Sequence, residues 1–192
     1  QQKIVGLSGR SSYAVAMAAA SLAVPVPRVV VIGGSLGGLL AANMLWRAGC
    51  DVTVHERVGE ELLGRGAGIA AHPEMFAAFA RAGVNLKEAI GTSVEQRVVL
   101  ARDGSVMARH RLPQIMCSWS SLLALLRATF PADRYFTGME FSRAEQTDAG
   151  VRAHFVDRMQ IEADLLVGAD GIYSTLRRQL WPDVKPAYAG YV

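Results

Sequence analysis

The sequence lacks the marks of several common protein classes, beginning with cysteine. Its 192 residues include two cysteines, Cys50 and Cys117, with neither a CxxC nor a metal-ligand spacing. A disulfide scaffold and a cysteine-based zinc site are therefore excluded, and both thiols are expected to be reduced and packed inside an intracellular protein. The apolar stretch 13–24 is too short to span a membrane, so no membrane partner is predicted.

Charge is also scarce and is not concentrated in one region. Charged residues make up 19% of the chain, the formal net charge is +3, and the basic residues are scattered rather than gathered into a stripe. A nucleic-acid partner is therefore not predicted. By contrast, 51% of the residues are hydrophobic, which suits one globular domain with a substantial core.

Residues 28–57 predict the first βαβ unit of a dinucleotide-binding fold. Residues 29–32 form an apolar, β-branched run that is typical of a buried parallel strand. After this run, Gly33, Ser35 and Gly38 occupy the three positions of the GxGxxG fingerprint. Apolar residues then recur at helical spacing, which predicts a helix packed on the strand.

The helix is expected to bind an anion at its amino end. Its first turn, which includes Leu36 and Gly37, presents free N–H groups that attract a pyrophosphate together with the helix dipole. Glu56 follows Gly33 by 23 residues, where a ribose-binding acid belongs. Glycines also mark ordinary turns, but this strand, helix and acid favour a nucleotide site. Because Ser35 replaces a glycine, either the backbone bends slightly or its hydroxyl donates a hydrogen bond to phosphate.

A second glycine-rich segment, 64–68, has two interpretations that the sequence leaves open. Gly68 and the other small residues let the backbone approach a ligand closely, and Arg65 adds a positive charge. The alternative is a flexible surface loop with a solvated arginine. His72 then precedes a short helix that ends at Gly83, and we interpret this histidine as a turn residue rather than a catalytic one.

The middle of the chain predicts four strands and one helix. The predicted strand pairs are 94–101 with 105–112, and 136–147 with 151–156. Between the pairs, Ser118 or Ser120 caps a helix that begins near Trp119, which is either a packing residue or part of a cofactor wall. Its expected core residues are Leu122, Leu123, Leu125 and Leu126.

A second turn with an acid follows a predicted buried strand at 163–167. Asp170 and Gly171 form this turn, Ser174 is placed to cap a helix, and Arg177 lies about one helical turn later. Because the turn follows a strand of the parallel sheet, it predicts a second ligand-facing loop opposite the first glycine turn.

The two turns together resemble the FAD-dependent aromatic hydroxylases, the group-A flavoprotein monooxygenases typified by p-hydroxybenzoate hydroxylase. The opening pattern of that family is matched by Gly33, Gly38, Leu39, Ala42, Leu45, Gly49, Val52, Val54, Glu56 and Arg57. Its Asp-Gly signature is matched by Asp170, Gly171, Ser174 and Arg177. Pyridine-ring hydroxylases such as 2,6-dihydroxypyridine 3-hydroxylase resemble the chain further at 33–35, at 66–74 and at the Ser-Trp segment before the predicted helix.

The resemblance implies FAD as the cofactor and NADH or NADPH as the reductant. In this family the reduced flavin takes up O₂ as a C4a-hydroperoxide, which attacks a small aromatic or heteroaromatic substrate. The resemblance also implies that Gly33–Gly38 holds the FAD pyrophosphate and that Glu56 accepts hydrogen bonds from the adenosine ribose. The residues implied in cofactor binding are Gly33, Ser35, Leu36, Gly37, Gly38, Glu56, Arg57, Arg65, Gly68, Trp119, Asp170, Gly171 and Arg177.

The expected fold is α/β, with a Rossmann-like FAD-binding domain that contains a parallel sheet and a β-meander, and with part of an α+β substrate domain. The FAD-binding domain is expected at 28–180, with 72–116 partly reaching the substrate side, and a truncated substrate domain begins at 181–192. We interpret residues 1–27 as a non-native leader, with a weak secretory signal as the alternative. The chain is thus expected to be a truncated part of a cytoplasmic enzyme, with a homodimer as one option at full length, and to lack hydroxylase turnover alone.

Two other functions remain open from the sequence. One is another FAD-dependent oxidoreductase with the same opening half, such as a halogenase or a reductase. The other is a non-catalytic nucleotide-binding module. A flavin absorption band that NAD(P)H bleaches and air restores would exclude the module, and product analysis would separate the enzymes.

Overall fold

A parallel sheet forms the centre of the computed structural model, which describes residues 25–59, 62, 68–86 and 90–190. Its strands are β1 (Arg28–Ile32), β2 (Asp51–His55), β6 (Tyr135–Phe136) and β10 (Leu165–Gly168). The strand order is β10-β1-β2-β6, and each neighbouring pair is parallel. The predicted α/β fold with a parallel sheet is confirmed.

Helices cover one face of this sheet. These helices are α1 (Leu36–Arg47), α2 (Pro73–Arg81) and α3 (Trp119–Thr129), with a short 3₁₀ helix at Ala132–Arg134. Helix α4 (Thr175–Leu180) packs on the opposite face, where Leu176 contacts the core that contains Val30 and Ile32 of β1. Because side chains alternate along a strand, Val29 and Val31 of β1 point to one face, where they join a core with Leu39 of α1 and Leu122 of α3. Among the described residues, no helix is both long enough and apolar enough to cross a membrane.

An antiparallel sheet covers the other face. It consists of β7 (Phe141–Thr147), β8 (Gly150–Phe155) and β9 (Gln160–Ala163), in the order β7-β8-β9. The remaining side chains of β1, Val30 and Ile32, pack there against Phe141 and Phe155 in a second core. This sheet is the predicted β-meander. The parallel sheet therefore lies between a helix-side core and the antiparallel sheet.

A third sheet lies beside the helices and is antiparallel throughout. Its strands are β3 (Gly68–Ala71), β4 (Gly91–Leu100) and β5 (Val106–Ser118), in the order β3-β5-β4. The predicted hairpin turn is present, with Gly104 at φ +86°. The two hairpin strands are longer than predicted, and β3 was not predicted.

The structure corrects three predictions of local structure. Segment 136–147 is not one strand, because Phe136 ends β6 and the chain turns at Gly138, with φ +72°, before β7. Leu125 is 36% exposed, so it is not a core residue of α3. The buried strand predicted at 163–167 is instead β10 (Leu165–Gly168), because Ala163 ends a different strand, and Leu165 is 47% exposed on β10, which is an edge strand.

Candidate functional site

A cleft of about 310 Å³ opens at the carboxyl ends of the central strands. It is lined by the residues that directly follow three neighbouring parallel strands, namely Gly33 after β1, Glu56 after β2 and Ala169 after β10. Ligands bind at this edge in open α/β sheets, where loops from several strands converge. The topology therefore brings together the two turns that the sequence marked separately.

Gly33 turns the chain out of β1 in a conformation and a space that only glycine fits. Its φ is +99°, a region that residues with a side chain rarely adopt. A Cβ atom there would lie 2.3 Å from the carbonyl oxygen of Ala169, so the first turn and the loop after β10 are in direct contact. The Gly33 N–H donates to the carbonyl of His55 at 2.9 Å, which also ties the turn to β2.

The first turn of α1 lies close to the glycine turn at Gly33. A Cβ atom on Gly38 would lie 1.8 Å from the Gly33 carbonyl oxygen, which explains the third glycine of the fingerprint. Gly37 has no such neighbour within 4 Å, and Leu36 is turned to the core. Ser35 is the N-cap residue, with φ −81° and ψ −170°, and its side chain makes no cap hydrogen bond. This extended conformation is open to any residue, so serine requires no bend of the backbone there.

Glu56 is a buried carboxylate held by backbone donors. It is 7% exposed. Its Oε2 accepts from the Gly34 N–H at 2.7 Å, and its Oε1 accepts from the Val58 N–H at 2.9 Å. Each carboxylate oxygen has two lone pairs, so both retain capacity for a further donor. The side chain is thus fixed in one orientation, at the edge of the cleft.

The second turn is organised around Asp170. Its Oδ2 accepts from the N–H groups of Thr175 at 2.7 Å and Leu176 at 3.2 Å, so the carboxylate caps α4. Gly171 has φ +79°, as the tight turn requires. The predicted cap is also present, because the Ser174 Oγ accepts from the N–H of Arg177 at 2.9 Å.

Most of the predicted residues meet in the cleft, and some do not. Those that line it are Gly33, Ser35, Glu56, Arg57, Trp119, Asp170 and Gly171. Arg177 lies outside it, because its guanidinium donates to the carbonyl of Ile172. Gly68 begins β3 opposite Ser118, one residue before Trp119. The prediction for Arg65 lies outside the described residues.

The comparison with protein families identifies the nucleotide for which this fold is built. Residues 27–186 match the family model described as the FAD binding domain. The chain belongs to this family. The FAD-binding domain thus includes both glycine turns, the helices that follow them and all three sheets.

Known relatives extend this assignment. This chain is 37% identical over 169 residues to 2,6-dihydroxypyridine 3-monooxygenase of Paenarthrobacter nicotinovorans, covering 86% of this chain and 41% of that protein. It is 33% identical over 178 residues to 3-amino-4-hydroxybenzoate 2-monooxygenase of Streptomyces cremeus, covering 85% of this chain and 44% of that protein. The solved 2,6-dihydroxypyridine-3-hydroxylase from Arthrobacter nicotinovorans matches with a TM-score of 0.76 and 34% identity, over 86% of this chain and 42% of that one. The chain therefore spans less than half the length of these relatives, and the predicted family resemblance is confirmed.

Sequence reasoning missed several residues of the FAD-binding domain that shape the cleft. The wall of the cleft includes Phe141, which begins β7, and the two residues before it, Met139 and Glu140. They follow a turn that carries no sequence motif. His55 also lines the cleft and was not singled out. Burial lowers the pKa of His55 to about 4, so this imidazole is neutral at physiological pH. Its place directly before Glu56 was the available signal.

Proposed function

We propose that this chain is the FAD-binding part of an NAD(P)H-dependent flavoprotein monooxygenase that hydroxylates an aromatic or pyridine-type ring. The observation that carries the proposal is the Glu56 carboxylate, fixed at the edge of the cleft by the N–H groups of Gly34 and Val58. The substrates of the whole enzyme would be a small aromatic or heteroaromatic compound, O₂, and NADH or NADPH. The cytoplasm, where these reductants are available, is the proposed location of the enzyme.

The glycine turn fits the pyrophosphate of FAD. The absence of side chains at Gly33 and Gly38 leaves no atom between the loop and the first turn of α1, and their neighbours already fill the space a Cβ would need. Gly33 and Ser35 line the cleft at the amino end of α1, where the backbone N–H groups of the first turn and the positive end of the helix dipole would attract the pyrophosphate. The Ser35 hydroxyl would donate to a phosphate oxygen there.

Glu56 fits the adenosine ribose. Its two backbone donors set the position of both oxygens, and the remaining lone pairs would accept hydrogen bonds from ribose hydroxyls. Arg57 follows on the exposed side of the cleft. Asp170 and Gly171 close the opposite side, and Trp119 contributes both to the cleft and to the helix-side core.

FAD supplies the redox chemistry when bound, by passing electrons from the reductant to O₂. The work of this chain is to hold and orient the cofactor. The relatives described above are monooxygenases of a dihydroxypyridine and of an aminohydroxybenzoate, which supports the proposed substrate class.

Titration of the purified chain with FAD tests the proposal. Glu56→Gln removes the charge and replaces one acceptor with a donor, so we expect the Kd for FAD to rise by about tenfold to a hundredfold, the value of a charge-assisted hydrogen bond. Glu95→Gln, on an exposed position of β4, is the matched control and is expected to bind as wild type. Absence of FAD binding by wild type, or equal Kd values for wild type and Glu56→Gln, would refute the site. For the full-length enzyme, one ¹⁸O atom from ¹⁸O₂ in the product is the result expected of a monooxygenase.

A further inference from the structure

Both backbone polar groups of Gly34 in the glycine turn are hydrogen-bonded to side chains. Its N–H donates to the Glu56 Oε2 at 2.7 Å, and its carbonyl accepts from the hydroxyl of Tyr135 at 3.0 Å. Tyr135 is 101 residues away in the sequence and begins β6. The two successive peptides that flank Gly34 are thus linked to β2 through Glu56 and to β6 through Tyr135.

The Tyr135 ring also fits the turn sterically. A Cβ atom on Gly34 would lie 2.3 Å from the Tyr135 hydroxyl oxygen and 2.6 Å from its Cζ, so the ring occupies the space that a side chain at position 34 would need. The Tyr135 ring can therefore occupy its position only because residue 34 has no side chain. Gly34 is the second residue of the fingerprint, at which any residue is ordinarily allowed.

Tyr135 is itself held in place. Its backbone pairs with Val54 of β2, and the guanidinium of Arg127 lies 4.3 Å from the ring centroid in a cation–π contact. Burial, together with the nearby Glu56 charge, raises the pKa of Tyr135 to about 12. The hydroxyl therefore keeps its proton at physiological pH and donates to Gly34.

We propose that Tyr135 is a positioning residue for the cofactor pyrophosphate: its hydroxyl fixes the Gly34–Ser35 peptide and so holds Ser35 in the cleft, at the amino end of α1. The inference rests on the proposed function, because it names a residue that prepares the same site. Tyr135 does not line the 310 Å³ cleft and acts through the loop.

The test compares wild type with Tyr135→Phe, which removes the hydroxyl and keeps the ring and its contact with Arg127. Tyr188→Phe, at an exposed tyrosine, is the matched control. The probes are FAD and ADP, which carry the pyrophosphate, and adenosine, which does not. FAD and ADP are titrated by calorimetry and adenosine by saturation-transfer NMR. Amide hydrogen exchange of Gly33 and Gly34 is followed without ligand.

In Tyr135→Phe we expect the Kd for FAD and for ADP to rise by the same factor, about threefold to tenfold, which is the effect of one lost hydrogen bond. The Kd for adenosine is expected to change less than twofold, and exchange of the turn amides is expected to become at least threefold faster. A merely structural role would weaken all three ligands alike, and that result would overturn the inference, as would unchanged Kd values for FAD and ADP.

The same experiment separates the two proposals. If wild type binds neither FAD nor ADP, the proposed function fails. The exchange data then decide the role of Tyr135: faster exchange of Gly33 and Gly34 in Tyr135→Phe supports its control of the turn, and unchanged exchange overturns it.

Discussion

Lowering the pH from 7.5 to 5 is expected to destabilise the chain through His55. This side chain is 2% exposed and lies between two aromatic rings, with ring centroids 5.2 Å from Phe136 and 5.0 Å from Phe155. Its Nε2 lies 3.0 Å from the hydroxyl of Thr53, and its Nδ1 has no hydrogen-bond partner among the described residues. Protonation would place an unpaired charge in the second core, which explains why burial lowers the pKa from 6.5 to about 4.

The sign and the size of the effect follow from this difference in pKa. Between pH 4 and 6.5 the unfolded chain binds more protons at His55 than the folded chain does, so stability rises with pH in this window and is lost as the pH falls. Taken over pH 7.5 to 5, the loss from this single group is about 2 kcal/mol.

Urea unfolding followed by circular dichroism at pH 7.5, 6 and 5 measures this loss. His55→Phe keeps an aromatic ring in the stack and removes the titrating group, so its stability is expected to fall by about 2 kcal/mol less than that of wild type. His110→Phe, at an exposed position on β5, is the control and should follow wild type. Carboxylates that titrate in the same range are common to all three proteins. An equal dependence on pH in wild type and His55→Phe would refute the reasoning.

Three further predictions concern the glycine turn, a helix cap and the thiols. Gly33→Ala is expected to lower the free energy of unfolding in urea by at least about 2 kcal/mol, because Gly33 has a positive φ and a backbone atom occupies the space of a Cβ. Gly37→Ala, in open space on α1, should raise the free energy of unfolding by roughly 0.5–1 kcal/mol. Equal effects of the two substitutions would contradict the assigned geometry. Ser174→Ala is expected to lower stability by about 1 kcal/mol through loss of the α4 cap, and an unchanged unfolding midpoint would contradict that role. Iodoacetamide at pH 8 should alkylate Cys50, which is partly exposed, before Cys117, since burial raises the pKa of the Cys117 thiol; mass spectrometry of native and urea-unfolded samples checks the order.

Much of the site was predictable because its key residues are set by local rules. Gly33 and Glu56 directly follow β1 and β2, Asp170 is the second residue after β10, and the pattern of apolar residues identifies those strands without any tertiary information. Since the carboxyl ends of parallel strands share one edge, the meeting of the three residues followed from the fold class.

Other features depend on side-chain direction or on distant contacts. Helix α3 shows the limit set by side-chain direction. Successive residues on a helix are turned by about 100°, and Leu125 lies at the edge of the buried face that Leu122, Leu123 and Leu126 form. Arg177 shows the same limit, because its guanidinium donates to the carbonyl of Ile172 and the residue does not line the cleft. Tyr135 shows the second limit, since no local pattern links a two-residue strand to a peptide 101 residues earlier.

The pairing of β1 with β10 has a consequence for the order of folding. Arg28 and Asp164, at the start of this pair, are 136 residues apart and joined by an exposed ion pair of 2.9 Å. Closing a loop of that length costs about 4 kcal/mol of chain entropy beyond the constant term, so contacts across it form late. The glycine turn can form early with its own helix, whereas the cleft exists only once the end of the domain has returned to its beginning. A cofactor that contacts both turns would therefore stabilise the folded state, because it would link the loop after β1 to the loop after β10.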